Sequence, residues 1–229
     1  MKHTIDPDRV HHGWDRSLEP ILTVDSGDVV HYDLRMAGHG QISEGDGYAE
    51  ARLDFATLYH LSGPVFVRDA EPGDTLRIDI LSLEPGDWGG PRCSKGFPPH
   101  RGGGNMDSRH LTAGSTLWLP VWCPGALFSC GDPHAAQGDG EVCVTAVKCP
   151  MKATLRLTVE KRMIPGPQFQ TGGPLLAADE SAGHFGTMGI HPNLMEGARA
   201  AVRSAIAWLQ SAHGLSAREA YVLCSLAGT

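Results

Sequence analysis

Two polar stretches interrupt the apolar segments of this chain, and both carry side chains with chemistry to offer. The first runs Pro98-Pro99-His100-Arg101-Gly102-Gly103-Gly104-Asn105-Met106-Asp107 and the second Gly131-Asp132-Pro133-His134-Ala135-Ala136-Gln137-Gly138-Asp139-Gly140-Glu141. Asp132 and His134 are two residues apart, so an extended backbone points both side chains the same way. A carboxylate oxygen and an imidazole nitrogen converging from one face suit a zinc-like divalent cation. Asp139 and Glu141 repeat that spacing and offer a further ligand or a general base. Asn105 and Asp107 repeat it again, next to glycines that let backbone approach a ligand closely. The glycines are not a phosphate loop, because neither a Gly-x-x-x-x-Gly-Lys form nor a following helical pattern accompanies them. Ser62, Ser129 and Cys130 lie outside any Gly-x-Ser-x-Gly elbow, which assigns them to core packing rather than nucleophilic attack. The six cysteines include no Cys-x-x-Cys pair and read as reduced, buried thiols.

The elements that must position these residues are mostly strands. Leu76, Ile78 and Ile80 alternate with Arg77 and Asp79, and Leu155, Leu157 and Val159 alternate with Thr154, Arg156, Thr158 and Glu160. That is the period of a half-buried strand. Gly63-Pro64-Val65-Phe66-Val67 and Trp118-Leu119-Pro120-Val121-Trp122 read as further short strands. Ala126–Cys130 and Val142–Val147 bracket the second polar stretch, which predicts a hairpin with a chemically loaded loop. Three turns share one form, Gly27-Asp28, Gly73-Asp74 and Gly114-Ser115. In each, Gly supplies a positive φ and the next polar residue bonds back to the backbone. Residues 164–192 are rich in Pro and Gly and read as a long crossing loop without regular structure. Beyond it, Leu194, Ala198, Ala201, Val202, Ala205, Ile206, Leu209 and Ala212 recur at helical spacing, with Gly214 placed to end the helix. Ser216-Ala217-Arg218-Glu219 is a capping box opening a second helix through Leu226. One domain is therefore expected, β-rich over 1–163, crossing over 164–192 and helical over 193–229.

Composition narrows the function classes. A chain of 229 residues, 41% hydrophobic, buries a real core, which excludes disorder and a disulfide miniprotein. The net charge of −7 argues against nucleic acid and anionic membrane as partners. No segment approaches the ~18 apolar residues needed to span a bilayer. Met1–Asp8 lacks the apolar stretch of a secretory signal, so the expected location is cytoplasmic. The 29 Gly and 16 Pro suggest many tight turns between short strands, and 12 His in an acidic protein favour a metal site.

The run Gly104-Asn105-Met106-Asp107-Ser108-Arg109-His110-Leu111-Thr112-Ala113-Gly114 closely resembles the acetamidase/formamidase family. So does Leu119-Pro120-Val121-Trp122-Cys123-Pro124-Gly125-Ala126-Leu127-Phe128-Ser129, continuing through Asp132, His134 and Ala135–Glu141. The likeness extends to His12-Gly13-Trp14-Asp15, Leu61-Ser62-Gly63-Pro64-Val65 and Ala220–Ser225, and covers nearly the whole chain. It implies a mainly β, sandwich-like fold of α+β class with two C-terminal helices, forming a homo-oligomer. It also implies hydrolysis of short aliphatic amides such as formamide or acetamide, with a divalent metal, zinc or else calcium. Carried onto this sequence, Asp107, Asp132 and His134 are the metal candidates. Glu141 is the candidate general base or a further ligand, and Asn105 and Gln137 are candidates to hydrogen-bond the amide. The chain departs from the family pattern at Lys148, where the pattern carries a carboxylate. It also crosses more briefly from Trp88 to Pro98 and ends earlier, at Thr229. An ammonium at 148 either opposes a neighbouring cation by repulsion or points harmlessly outward. The alternative to an amidase is a non-catalytic member that binds a small amide or a metal, or serves structurally in an oligomer.

Overall fold

Alternation of apolar and polar residues assembles the body of the chain. The computed structural model describes residues 1–41, 53–86, 90–91, 100, 102–138, 146–173 and 184–227. In chain order its strands are β1 (Lys2–Thr4), β2 (Val10–His11), β3 (Leu22–Val24), β4 (Asp28–Leu34), β5 (Leu61–Val67), β6 (Thr75–Pro85) and β7 (Gly90–Pro91). They continue as β8 (Thr116–Pro120), β9 (Phe128–Gly131), β10 (His134–Ala136), β11 (Val147–Lys148), β12 (Met151–Glu160), β13 (Gln168–Gln170) and β14 (Phe185–Thr187). Two helices follow, α1 (Leu194–His213) and α2 (Ala217–Ala227).

The largest sheet has the order β1-β4-β12-β6-β8-β13-β14, antiparallel except where β1 runs parallel to β4. In a second sheet β5 pairs antiparallel with β2 and β9 and parallel with β3. Val30 and Tyr32 of β4, Leu76 and Ile78 of β6, and Leu155 and Leu157 of β12 share one core with Val24, Val65 and Val67 of the second sheet. Each such side chain contributes roughly 1.5–3 kcal/mol when fully buried. The opposite face of β6 is polar, where Arg77 Nε donates to Asp79 Oδ1 at 2.9 Å. The fold is therefore the mainly β, sandwich-like arrangement with two terminal helices that the resemblance implies. The turns are as read. Gly27 and Gly73 adopt φ of 93° and 100°. Asp28 and Asp74 accept from the backbone N–H groups of Asp25 and Glu71 at 3.1 and 2.8 Å.

Two expectations need correction. Residues 164–192 are not a loop without regular structure, because β13 and β14 pair with each other and extend the large sheet beyond β8. Three-residue strands among Pro and Gly are too short for alternation to show. The buried face of α1 is also rotated from the predicted stripe. Gly197 and Ser204 are its buried residues, and Trp208 stacks on Phe185 with ring centroids 3.8 Å apart. Leu194 and Val202 are exposed. Small residues line the contact because the backbones nearly touch. A Cβ added at Gly189 would lie 1.8 Å from the Gly197 carbonyl oxygen. The helix ends are otherwise as expected. Gly214 ends α1 at φ 68°, and Ser216 and Glu219 exchange the capping-box bonds at 2.8 and 3.3 Å. At the other end of α1, the Asn193 side chain caps the helix by accepting from Met195 and Glu196 N–H.

Candidate active site

The described part of the second polar stretch, residues 131–138, holds a strand of its own. After β9 the chain turns at Asp132, which adopts φ 53°, and re-enters a strand at once as β10. β10 then pairs antiparallel with β11, and His134 stands directly opposite Lys148. Residues directly opposite in an antiparallel ladder project from the same face. The register therefore aims the Lys148 side chain at the His134 ring, and the ammonium is not turned outward. Lys148 is only 2% exposed, among the largest fully buried side chains of the chain.

Asp107, from the Gly-rich stretch, completes the group. Ligand atoms of Asp107, Asp132 and His134 lie within 4.8 Å of one another. Lys148 Nζ donates to Asp132 Oδ2 at 2.8 Å and sits 2.5 Å from His134 Nε2. Gln137 fixes the other edge of the ring. Its Nε2 donates to the Asp107 carbonyl at 2.6 Å, so its Oε1 accepts from His134 Nδ1–H at 2.7 Å. Only one hydrogen fits between Nζ and Nε2, so with Nδ1–H turned to Gln137 the ring accepts at Nε2 from the Lys148 ammonium.

The positive charge lowers both carboxylates, but their net shifts are opposite. Burial alone would raise the Asp132 pKa, but the neighbouring His134 ring and the bond and charge of Lys148 outweigh that and hold it below the usual range. Burial dominates at Asp107 and pushes its pKa up, helped by the nearby Asp132 charge and opposed by His134 and Lys148. At His134 burial and the Lys148 charge work downward, but Asp132 and then Gln137 outweigh them and the net direction is up. Exposure of the side chains rises from Lys148 at 2% through His134 and Asp132 to Asp107 at 23%. The cluster thus has a closed floor and an Asp107 rim, set in the wall of a cavity of about 1340 Å³.

The structure brings Asp107, Asp132, His134 and Gln137 together and places Asn105 on the same cavity. Gln137 lines the cavity too, with its Oε1 on His134 and one Nε2–H on the Asp107 carbonyl, which leaves its second N–H as the donor it can offer. Glu141 and Asp139 lie outside the described residues. The group that residue-by-residue reading left open is Lys148, whose direction only the strand register decides.

A divalent cation does not fit these residues as they stand. Such an ion needs a ring nitrogen lone pair and carboxylate oxygens at about 2.0–2.2 Å. Gln137 engages Nδ1, Lys148 engages Nε2, and Lys148 also takes Asp132 Oδ2. The remaining oxygen, Asp132 Oδ1, is buried without a hydrogen bond among the described residues, 3.6 Å from Nε2.

Two possible nucleophiles are accounted for. Burial pushes the Cys130 thiol up to about 12, which keeps it protonated and inert. Ser129 Oγ–H donates to His11 Nε2 at 2.9 Å while His11 Nδ1–H is held by the Gly13 carbonyl at 2.8 Å. That is a hydroxyl–base pair. Ser129 is 7% exposed and packs tightly on Gly63, where an added Cβ would fall 2.4 Å from Oγ, and His11 and Ser129 both line the cavity.

Comparison with known proteins agrees with this architecture. Residues 2–90 and 89–229 match the model of the Acetamidase/Formamidase family. An acetamidase of Mycolicibacterium smegmatis is 32% identical over 116 residues, 47% of this chain and 29% of that protein. A formamidase of Methylophilus methylotrophus is 31% identical over 114 residues, 48% of this chain and 27% of that protein. The aligned stretch therefore spans less than a third of either relative. The crystal structure of an acetamidase from Yersinia enterocolitica superposes with a TM-score of 0.84 at 25% identity. That superposition covers 98% of this chain and 85% of the other.

Proposed function

The chain belongs to the acetamidase/formamidase family, and from that premise we propose that it hydrolyses a short aliphatic amide, formamide or acetamide, to the carboxylate and ammonia. The observation that carries the reading is the convergence of Asp107, Asp132 and His134 on one wall of the cavity, with Lys148 buried behind them against Asp132 and His134. Asp107 is the most exposed of the four and lines the cavity, so it is the residue to move a proton. A water oxygen attacks the amide carbon while Asp107 takes the water proton. Asp107 then passes that proton to the nitrogen, the carbon–nitrogen bond breaks, and ammonia leaves. Asp132, held by Lys148, and Gln137, held by the Asp107 carbonyl, keep the His134 ring in place. Asn105 lines the cavity where its amide can bond the substrate carbonyl.

A proton-transferring side chain contributes roughly 10²–10⁴-fold. Ammonia release from formamide and acetamide should therefore fall by about that factor in Asp107→Asn, with kcat moving more than KM. Ser129→Ala should retain turnover, since water attacks directly. Loss of turnover in Ser129→Ala with Asp107→Asn active would reject this assignment. The second reading, a non-catalytic amide binder, is favoured by one observation, the buried Lys148 in the cluster. It predicts saturable acetamide binding by calorimetry with no ammonia released.

A further inference from the structure

We infer that the resident cation of this site is the chain's own Lys148 ammonium, and that Lys148 excludes a divalent metal from the Asp107, Asp132 and His134 cluster. The inference concerns binding alone and holds whether or not the chain turns over an amide.

Three observations meet here. The register pairs His134 with Lys148, so the side chain is directed into the cluster by the sheet and not by a flexible loop. Nζ then lies 2.8 Å from Asp132 Oδ2 and 2.5 Å from His134 Nε2, contacting two of the three candidate metal-ligating side chains. Finally, Lys148 is 2% exposed, so its charge is compensated here by Asp132 and not by solvent. A metal entering the cluster would have to displace an ammonium already paired in a water-poor site, and would meet its repulsion at close range. The lysine supplies one positive charge without an open coordination position. It can neutralise Asp132 and orient His134, but it cannot bind and acidify a water as a metal does.

The test is metal binding by the tag-free full chain, with activity left aside. Wild type, His134→Ala, Lys148→Glu, Lys148→Ala and Lys148→Glu/His134→Ala are incubated with Co²⁺, freed of unbound ion, and read by elemental analysis and by the visible absorption of bound cobalt. Circular dichroism establishes that each is folded. Wild type should retain far less than one equivalent. Lys148→Glu should retain about one equivalent with the intense bands of a low-coordinate site, and lose it in the double variant. The expected gain in cobalt affinity over wild type is at least about tenfold. Lys148→Ala, which only removes the blocking group, should gain in the same direction and serves if Lys148→Glu does not fold. Stoichiometric cobalt in wild type that disappears in His134→Ala would overturn the inference. So would folded Lys148 variants that bind no more cobalt than wild type.

Discussion

If the Lys148 ammonium is inside the cluster, removing it must leave a buried carboxylate without its counter-charge. In Lys148→Met the volume is nearly kept and the charge is lost. Asp132 then retains Oδ1, already buried without a hydrogen bond among the described residues, and loses the 2.8 Å bond at Oδ2. A solvent-exposed pair would contribute only ~0–1 kcal/mol. At 2.8 Å and an effective dielectric of about 20, the attraction is ~6 kcal/mol before the desolvation that offsets part of it. Breaking a buried pair from one side costs about 3–5 kcal/mol. For a chain of this length that lowers Tm by roughly 6–20 °C.

The assay is urea unfolding of wild type, Lys148→Met, Asp132→Asn and the double variant, all with a chelator present so that no bound metal props up a variant. Each single change should be strongly destabilising, because each leaves one buried charge alone. The double variant should be less destabilised than the singles summed, by about 1.5–3 kcal/mol. The reasoning fails if Lys148→Met loses under ~1 kcal/mol or if the two changes add within ~0.5 kcal/mol. Either result would mean that the ammonium spends its time in water and the pair is a surface one.

Two further predictions test the scaffold around the site. Gly189→Ala drives a Cβ to 1.8 Å from the Gly197 carbonyl oxygen, whereas Gly197→Ala meets nothing nearer than 3.3 Å. The first should lose at least about 1–3 kcal/mol by pushing α1 off the sheet and the second clearly less, read as urea midpoints. Equal effects would show that the helix is not seated at this crossing. Asp74 accepts from Lys161 Nζ at 2.7 Å and from Glu71 N–H at 2.8 Å, and these bonds lower its pKa against the upward effect of partial burial. The folded chain therefore holds this proton less readily than the unfolded chain, whose Asp pKa is about 3.9. The stabilisation is present above that value and is lost as pH falls through the depressed folded value. The stability gap between wild type and Asp74→Asn should thus be wide near pH 7 and shrink below about pH 4. A gap independent of pH would remove the carboxylate from the account.

What could be read from the residues alone, and what could not, divides along a physical line. Local rules were legible because each is decided within a few positions. The alternation of β6 and β12, the turns at Gly27 and Gly73, the Gly214 end of α1 and the Ser216–Glu219 box are of that kind. The position of β13 and β14 and the rotation of α1 were not, because contacts made across the fold decide them. Gln168 and Trp118 pair across fifty positions, and Gly189 against Gly197 selects the helix face. The site divides in the same way. Asp132 and His134 announce themselves by spacing, and Asp107 by its polar stretch. Lys148 offers only a charge, and its meaning depends on which residue it opposes across the ladder. Opposite a residue pointing to solvent it would be one more surface lysine. Opposite His134, and next to Asp132, the same side chain fills the place where a cation would act. A one-residue slip of β11 would send it to the other face, so the chemistry of this site rests on the pairing of two short strands.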